Sequence, residues 1–281
     1  MRCQWQEFLN LLPPWLRQPV DEQGKDDLQE IRLRLNFPPE LVIGTGSVWL
    51  SRLVNADDLS FCLNIATRYS PWTSGSITDG FVTAAGGHRI GLCGECVYEG
   101  AHIKNIPVLT SVCIRVAREF PGISGSIHKR TGSILIIGKP GSGKTTLLRD
   151  LIRMISNCNK GSVVVLDERR ELFPCSNGKF FFDRGRSTDV MSGCKKREAL
   201  EMAVRTMGPS VIAVDEITNL EDCTALSYAA WCGVRMIATA HATCKGDLYS
   251  RKIFQPILQS NIFQTLITVH PDKTWSEEVI Q

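Results

Sequence analysis

The sequence predicts an α/β protein: a mainly parallel sheet flanked by helices, preceded by a smaller α+β domain. Three observations lead there. From Ser133 to Thr239 short apolar runs alternate with stretches of helical length, the order that builds a parallel sheet with helices on both faces. Gly138-Lys139-Pro140-Gly141-Ser142-Gly143-Lys144-Thr145 stands between the first run and the first stretch. Pro, Gly and Ser cluster over Phe120 to Ser126, as in a linker, and 281 residues suit two domains. The expected division is residues 1–120, a linker at 121–131, and residues 132–281.

In the N-terminal part, Asp26 to Ile31 begins a helix or a strand. Asp57-Asp58 caps an amphipathic helix from Leu59 to Tyr69, with Leu59, Leu63 and Ile65 or Ala66 at helical spacing. Phe81-Val82-Thr83, His88 to Cys93 and Ser111 to Val116 read as strands, with Gly86-Gly87 as a turn. In the C-terminal part the expected strands are Ser133–Ile137, Ser162–Asp167, Val211–Asp215 and Val234–Thr239. The expected helices are Lys144–Asn157, Lys195–Met207 and Glu221–Trp231.

Composition narrows the class. Hydrophobic residues at 43% and charged residues at 22% belong to a globular chain. A net charge of +3 is too small to single out nucleic acid as a partner. No apolar run reaches the ~18 residues of a membrane span. Met1 to Glu7 lacks the pattern of a secretory leader, so the expected location is the cytosol. The 11 cysteines then read as reduced thiols. Cys93 and Cys96 have C-x-x-C spacing with His88 and His102 nearby, but no second pair follows, and small core residues are the plainer reading.

The glycine-rich segment fits G-x-x-x-x-G-K-[ST] in the strand-to-helix context the pattern requires. Its glycines let backbone N–H groups converge on phosphates, and the helix N-terminus adds partial positive charge. Gly138 to Thr146 are therefore the expected nucleotide-binding residues. Lys144 reaches the terminal phosphates and the Thr145 hydroxyl binds Mg²⁺. Val211 to Glu216 is an apolar strand ending in two acids. Asp215 holds Mg²⁺, and Glu216 orients or deprotonates water. The charged run Asp167 to Glu171 and His241 also end apolar runs, where sheets of this class place their sites. A lone histidine is more often structural.

Together these segments resemble the secretion ATPases of type II and type IV systems, pilus-retraction motors included. A resemblance over nearly the whole chain is to the stage III sporulation protein AA family. It is carried by Glu30 to Arg34, Gly86 to Gly91, Ser111 to Glu119, Gly143 to Leu151, Asp167-Glu168-Arg169 and Arg205 to Ile217. The resemblance implies a RecA-like P-loop ATPase core using ATP and Mg²⁺ in a homo-oligomeric ring, a hexamer. It implies catalytic roles for Glu168 and His241, and arginines of the N-terminal domain facing the phosphates: Arg115 first, Arg89 second. It also implies endospore formation, with membrane-embedded channel proteins as partners holding the ATPase at the cytoplasmic face. No direct membrane insertion and no nucleic-acid partner are expected. The chain departs from the family's pattern in a shorter linker after Glu119, in Gly138-Lys139-Pro140, and in Thr218-Asn219. Two other functions compete: a nucleic-acid-dependent RecA-like ATPase, and a nucleotide-binding switch with little hydrolysis, against which Glu216 argues.

Overall fold

The computed structural model describes residues 1–44, 46–68, 80–100, 102–158, 161–176 and 178–280, without the side chains of His102 and Ser176. The expected helix end at Tyr69 and the His102 side chain lie outside the described residues. The chain divides into two compact units, Met1–Glu119 with Ser176–Phe181, and Phe120–Cys175 with Phe182–Gln281.

The first unit opens with helices α1 (Trp5–Asn10) and α2 (Pro14–Gln23). The strands are β1 (Leu28–Arg34), β2 (Glu40–Ile43), β3 (Gly46–Trp49), β4 (Phe81–Thr83), β5 (Arg89–Glu99) and β6 (His102–Arg115). They pair antiparallel in the order β3-β2-β1-β6-β5-β4. Ile31, Leu33, Ile90 and Ile114 form the buried face with Phe8, Leu12 and Leu16 from the helices. Helix α3 (Ala56–Thr67) is capped by Asn55 rather than by Asp57-Asp58. The Asn55 side chain accepts the Asp58 N–H at 2.9 Å, and the Asp58 carboxylate accepts the Asn55 N–H at 3.0 Å. This reciprocal box satisfies two orphan donors of the first turn.

The second unit carries β7 (Ile134–Gly138), α4 (Lys144–Asn157), β8 (Val163–Asp167), α5 (Lys196–Thr206), β12 (Val211–Ile217), α6 (Leu220–Trp231) and β13 (Arg235–His241). Between β8 and α5 the chain passes through the two-residue strands β9 (Cys175–Ser176) and β10 (Lys179–Phe180), where Ser176–Phe181 count with the first unit, and then β11 (Thr188–Ser192) of the second. After β13 follow the short helices α7 (Lys245–Ser250) and α8 (Gln255–Gln259), and strands β14 (Thr265–Val269) and β15 (Trp275–Val279). The seven-stranded sheet runs β11-β8-β12-β13-β7-β14-β15, parallel except for the last pair. Every residue of β7 and β8 is buried, which is why these strands read as continuous apolar runs rather than alternating ones.

The stretch expected as a linker belongs to this unit. Asp150 on α4 accepts the Gly122 N–H, the Ser124 N–H and the Ser124 hydroxyl at 2.7–2.9 Å. Ser124 and Ile127 are fully buried, and the Trp275 indole N–H donates to the Ile123 carbonyl at 3.1 Å. A segment held by three bonds to a buried carboxylate is part of the packed fold.

Candidate nucleotide site

The loop between β7 and α4 is shaped by glycine. Gly141 and Gly143 adopt φ of 72° and 106°, a region that L side chains rarely enter. A Cβ on Gly138 would lie 2.6 Å from Ser142 Oγ and 2.8 Å from the Val269 carbonyl. Lys144 starts α4 and is buried. Its Nζ donates to the Gly138 and Lys139 carbonyls and to His241 Nδ1, each at 3.0 Å. Burial lowers its pKa, against the opposing pull of Asp215 and Glu216.

The strand β12 delivers its acids to the same place. Asp215 Oδ2 accepts the Thr145 hydroxyl at 2.9 Å, and Oδ1 accepts the Thr239 hydroxyl at 2.6 Å. Glu216 Oε1 lies 3.2 Å from His241 Nε2, and Oε2 accepts from Arg169 at 2.7 Å. An ammonium only donates, so His241 Nδ1 is the acceptor from Lys144 and Nε2–H donates to Glu216. Lys144, His241, Glu216 and Arg169 thus form one hydrogen-bonded chain. At the sheet's edge of the loop, the strand ends stand in one row, His241 beside Gly138 and Gly138 beside Val269.

Five expected residues therefore meet: Lys144, Thr145, Asp215, Glu216 and His241. Glu168 is engaged elsewhere, with Lys196 Nζ at 2.9 Å, while Lys196 also reaches Asp222 at 3.4 Å. Its neighbour Arg169 joins the site instead. Asp167 is buried and accepts the Glu171 and Phe173 N–H groups; burial raises its pKa to about 6. Thr218 and Asn219 build the turn after β12. Thr218 donates through N–H and hydroxyl to Asp222, and the Asn219 side chain caps α6 by accepting the Asp222 N–H. Arg169 and Thr239 are the site residues that sequence reasoning missed. Arg169 lay inside the flagged charged run, and Thr239 stands two residues before His241.

Arg115 and Arg89 belong to the first unit. They are cross-strand neighbours on β6 and β5, with Glu30 opposite Arg115 on β1. Arg115 Nε pairs with Glu30 at 3.3 Å and is largely exposed; Arg89 stacks over Phe81 at 3.8 Å. Arg89 follows His88, whose ring is fully buried, with Nε2–H donating to the Gln4 carbonyl and Nδ1 accepting the Ala117 N–H. His88 is thus occupied in the core. Cys93 and Cys96 are exposed on β5. Among the described residues no group of three or more metal-ligating side chains gathers.

A cavity of about 300 Å³ adjoins the loop, walled by Phe120, Ile123, Leu147, Val269 and Trp275 beside Gly141 to Gly143. Lys273 on the β14–β15 turn donates to the Gly141 carbonyl at 2.5 Å.

The family profile described as "Sporulation stage III, protein AA" matches residues 3–278. Stage III sporulation protein AA of Bacillus subtilis (strain 168) is 35% identical over 270 residues, covering 92% of this chain and 88% of that one. The chain belongs to the stage III sporulation protein AA family. Among solved structures, it is similar to the Legionella pneumophila ATPase DotB, with a TM-score of 0.62 at 14% identity, over 96% of this chain and 82% of that one. It is also similar to the pilus retraction motor PilT, solved with bound ADP, with a TM-score of 0.61 at 18% identity, over 90% and 76%. At such identity the likeness concerns the fold: a mixed, mostly parallel α/β sheet, which this family member shares with those ATPases. Among the described residues no helix is long and apolar enough to cross a membrane.

Proposed function

We propose that the chain is an ATP-hydrolysing, oligomeric motor of a secretion-like channel complex used in endospore formation. The carrying observation is the meeting of the loop with the acids of β12: Thr145 Oγ1 lies 2.9 Å from Asp215 Oδ2 at the start of α4. The residues fit ATP·Mg²⁺. Two hard oxygen donors stand together, as Mg²⁺ requires. The loop encloses a buried serine hydroxyl, Ser142 Oγ, that has no protein partner, beside a glycine position where a Cβ would collide.

In this reading Gly138 to Thr146 bind the phosphates through backbone N–H groups and Lys144. Thr145 and Asp215 hold Mg²⁺, which when bound neutralises charge on the phosphates. Glu216, steadied by His241 Nε2–H and Arg169, orients water and accepts its proton at a carboxylate oxygen. The apolar cavity takes the base. Arg115, and second to it Arg89, stabilises phosphate charge across a subunit boundary of a hexameric ring. Membership of a sporulation protein family supports the process; membrane-embedded channel proteins as partners, and a peripheral place on the cytoplasmic face, belong to the same proposal.

The test is steady-state phosphate release from ATP·Mg²⁺ by wild type and Glu216→Gln, across protein concentration. Turnover that the variant loses while keeping ATP affinity, and that rises faster than linearly with protein, is expected. Equal turnover in the two proteins overturns the role of Glu216, and ATP that does not bind overturns the reading as a whole.

A further inference from the structure

A regular strand sends successive side chains to opposite faces, so adjacent Asp215 and Glu216 should not serve one site. The ladder shows how they do. Val214 pairs with Ala238 and Ile217 with Ala240, so two residues of β12 stand against Thr239 alone on β13. This is a β-bulge, a device that re-aims side chains. Its second residue, Glu216, takes φ of 57°, left-handed backbone that a non-glycine residue adopts only when its surroundings enforce it.

Thr239 is fully buried, and its hydroxyl is committed on both sides. A hydroxyl has one proton to give. Here it goes to Asp215 Oδ1 at 2.6 Å, while the oxygen accepts the Glu216 N–H at 2.7 Å. One oxygen atom thereby ties the carboxylate of the first acid to the backbone of the second.

We infer that Thr239 is a positioning residue: it pins the bulge and so aims the Glu216 carboxylate at His241 and Arg169. Its effect on turnover rests on the hydrolase reading; the pin itself does not. Valine at this position keeps the shape, removes the hydroxyl, and takes from the part-buried Glu216 N–H its acceptor and from Asp215 a donor. Serine restores the hydroxyl.

The experiment has two arms. In the first, kcat and ATP affinity are measured for wild type, Thr239→Val and Thr239→Ser. Valine is expected to lower kcat about tenfold to a hundredfold, the scale of one lost hydrogen bond to a charged group. ATP affinity should stay within about threefold, and serine should recover most of kcat. A uniform loss in both variants, or a loss in affinity alone, overturns the assignment. In the second arm, hydrogen exchange at the Glu216 amide is followed without ATP. Slow exchange in wild type and Thr239→Ser, and faster exchange in Thr239→Val, is expected. Fast exchange in wild type overturns the pin even if valine does not fold. Absence of turnover in wild type would remove the hydrolase reading and leave the exchange arm to judge the pin.

Discussion

Replacing Asp150 by alanine should release the segment at 120–127 from the second unit. The carboxylate is 5% exposed and accepts the Gly122 N–H at 2.9 Å, the Ser124 N–H at 2.9 Å, the Ser124 hydroxyl at 2.7 Å and Arg153 Nη2 at 2.6 Å. Removing one partner from such a group leaves buried donors without acceptors and a cation without its anion. Arg153 can recover water, so the expected cost is about 3 kcal/mol, which for a unit of this size lowers Tm by about 6–12 °C. Burial pushes the Asp150 pKa up, but the hydrogen bonds from Ser124, Gly122 and Arg153 outweigh it and hold the pKa below its ordinary 3.8. The unfolded chain therefore takes up the proton first as pH falls. The stabilisation is complete above the ordinary carboxylate range and is lost as pH drops through about 4 and lower. Asp150→Ala should lack that part of the acid slope. Urea unfolding at neutral and acid pH measures both effects, and limited proteolysis should cut the variant near Gly122. A loss under about 1 kcal/mol, with the segment still protected, would refute the reasoning.

Two further outcomes are expected. Burial lowers the His88 pKa to about 4 from 6.5, so the fold keeps the ring neutral while the unfolded chain protonates it; stability should fall by up to about 3 kcal/mol as pH drops from 6.5 to 4, and denaturant titrations of His88→Leu should lack that component. Arg115→Ala should still bind ATP but turn over slowly, and mixing it with Glu216→Gln should restore part of the phosphate release; no recovery at any ratio rules out action between subunits.

The middle of the sheet was readable because β7, β8 and β12 open with unbroken apolar runs buried on both faces, and α4 because the glycine loop marks its start. β14 was missed although it is buried at every position; other missed elements carry weak local signals. Helix α2 begins at a proline pair, β11 is only partly buried, and β15 alternates partly buried and exposed residues as an antiparallel edge. Lys144 and Thr145 could be read from the glycine-loop pattern, Asp215 and Glu216 because they close an apolar run, and His241 through the family resemblance. Thr239 could not, since its role depends on two residues opposing one across a ladder, and strand register is invisible in a single sequence. Glu168 and Arg169 are adjacent, and local pattern cannot tell which one turns toward Glu216 and which toward Lys196.

The row formed by His241, Gly138 and Val269 joins three strand ends through backbone pairing. Its outer members serve different neighbourhoods, His241 facing the Lys144 ammonium and Val269 walling the apolar cavity. Interiors packed this closely yield little, so the row acts as a rigid gauge. The distance from the polar end of the site to its greasy end is set by the spacing of strands, about 4.8 Å per step, and not by loops. In the proposed function a nucleotide is therefore measured against the sheet itself, and a bulky residue at Gly138 would spoil both ends at once.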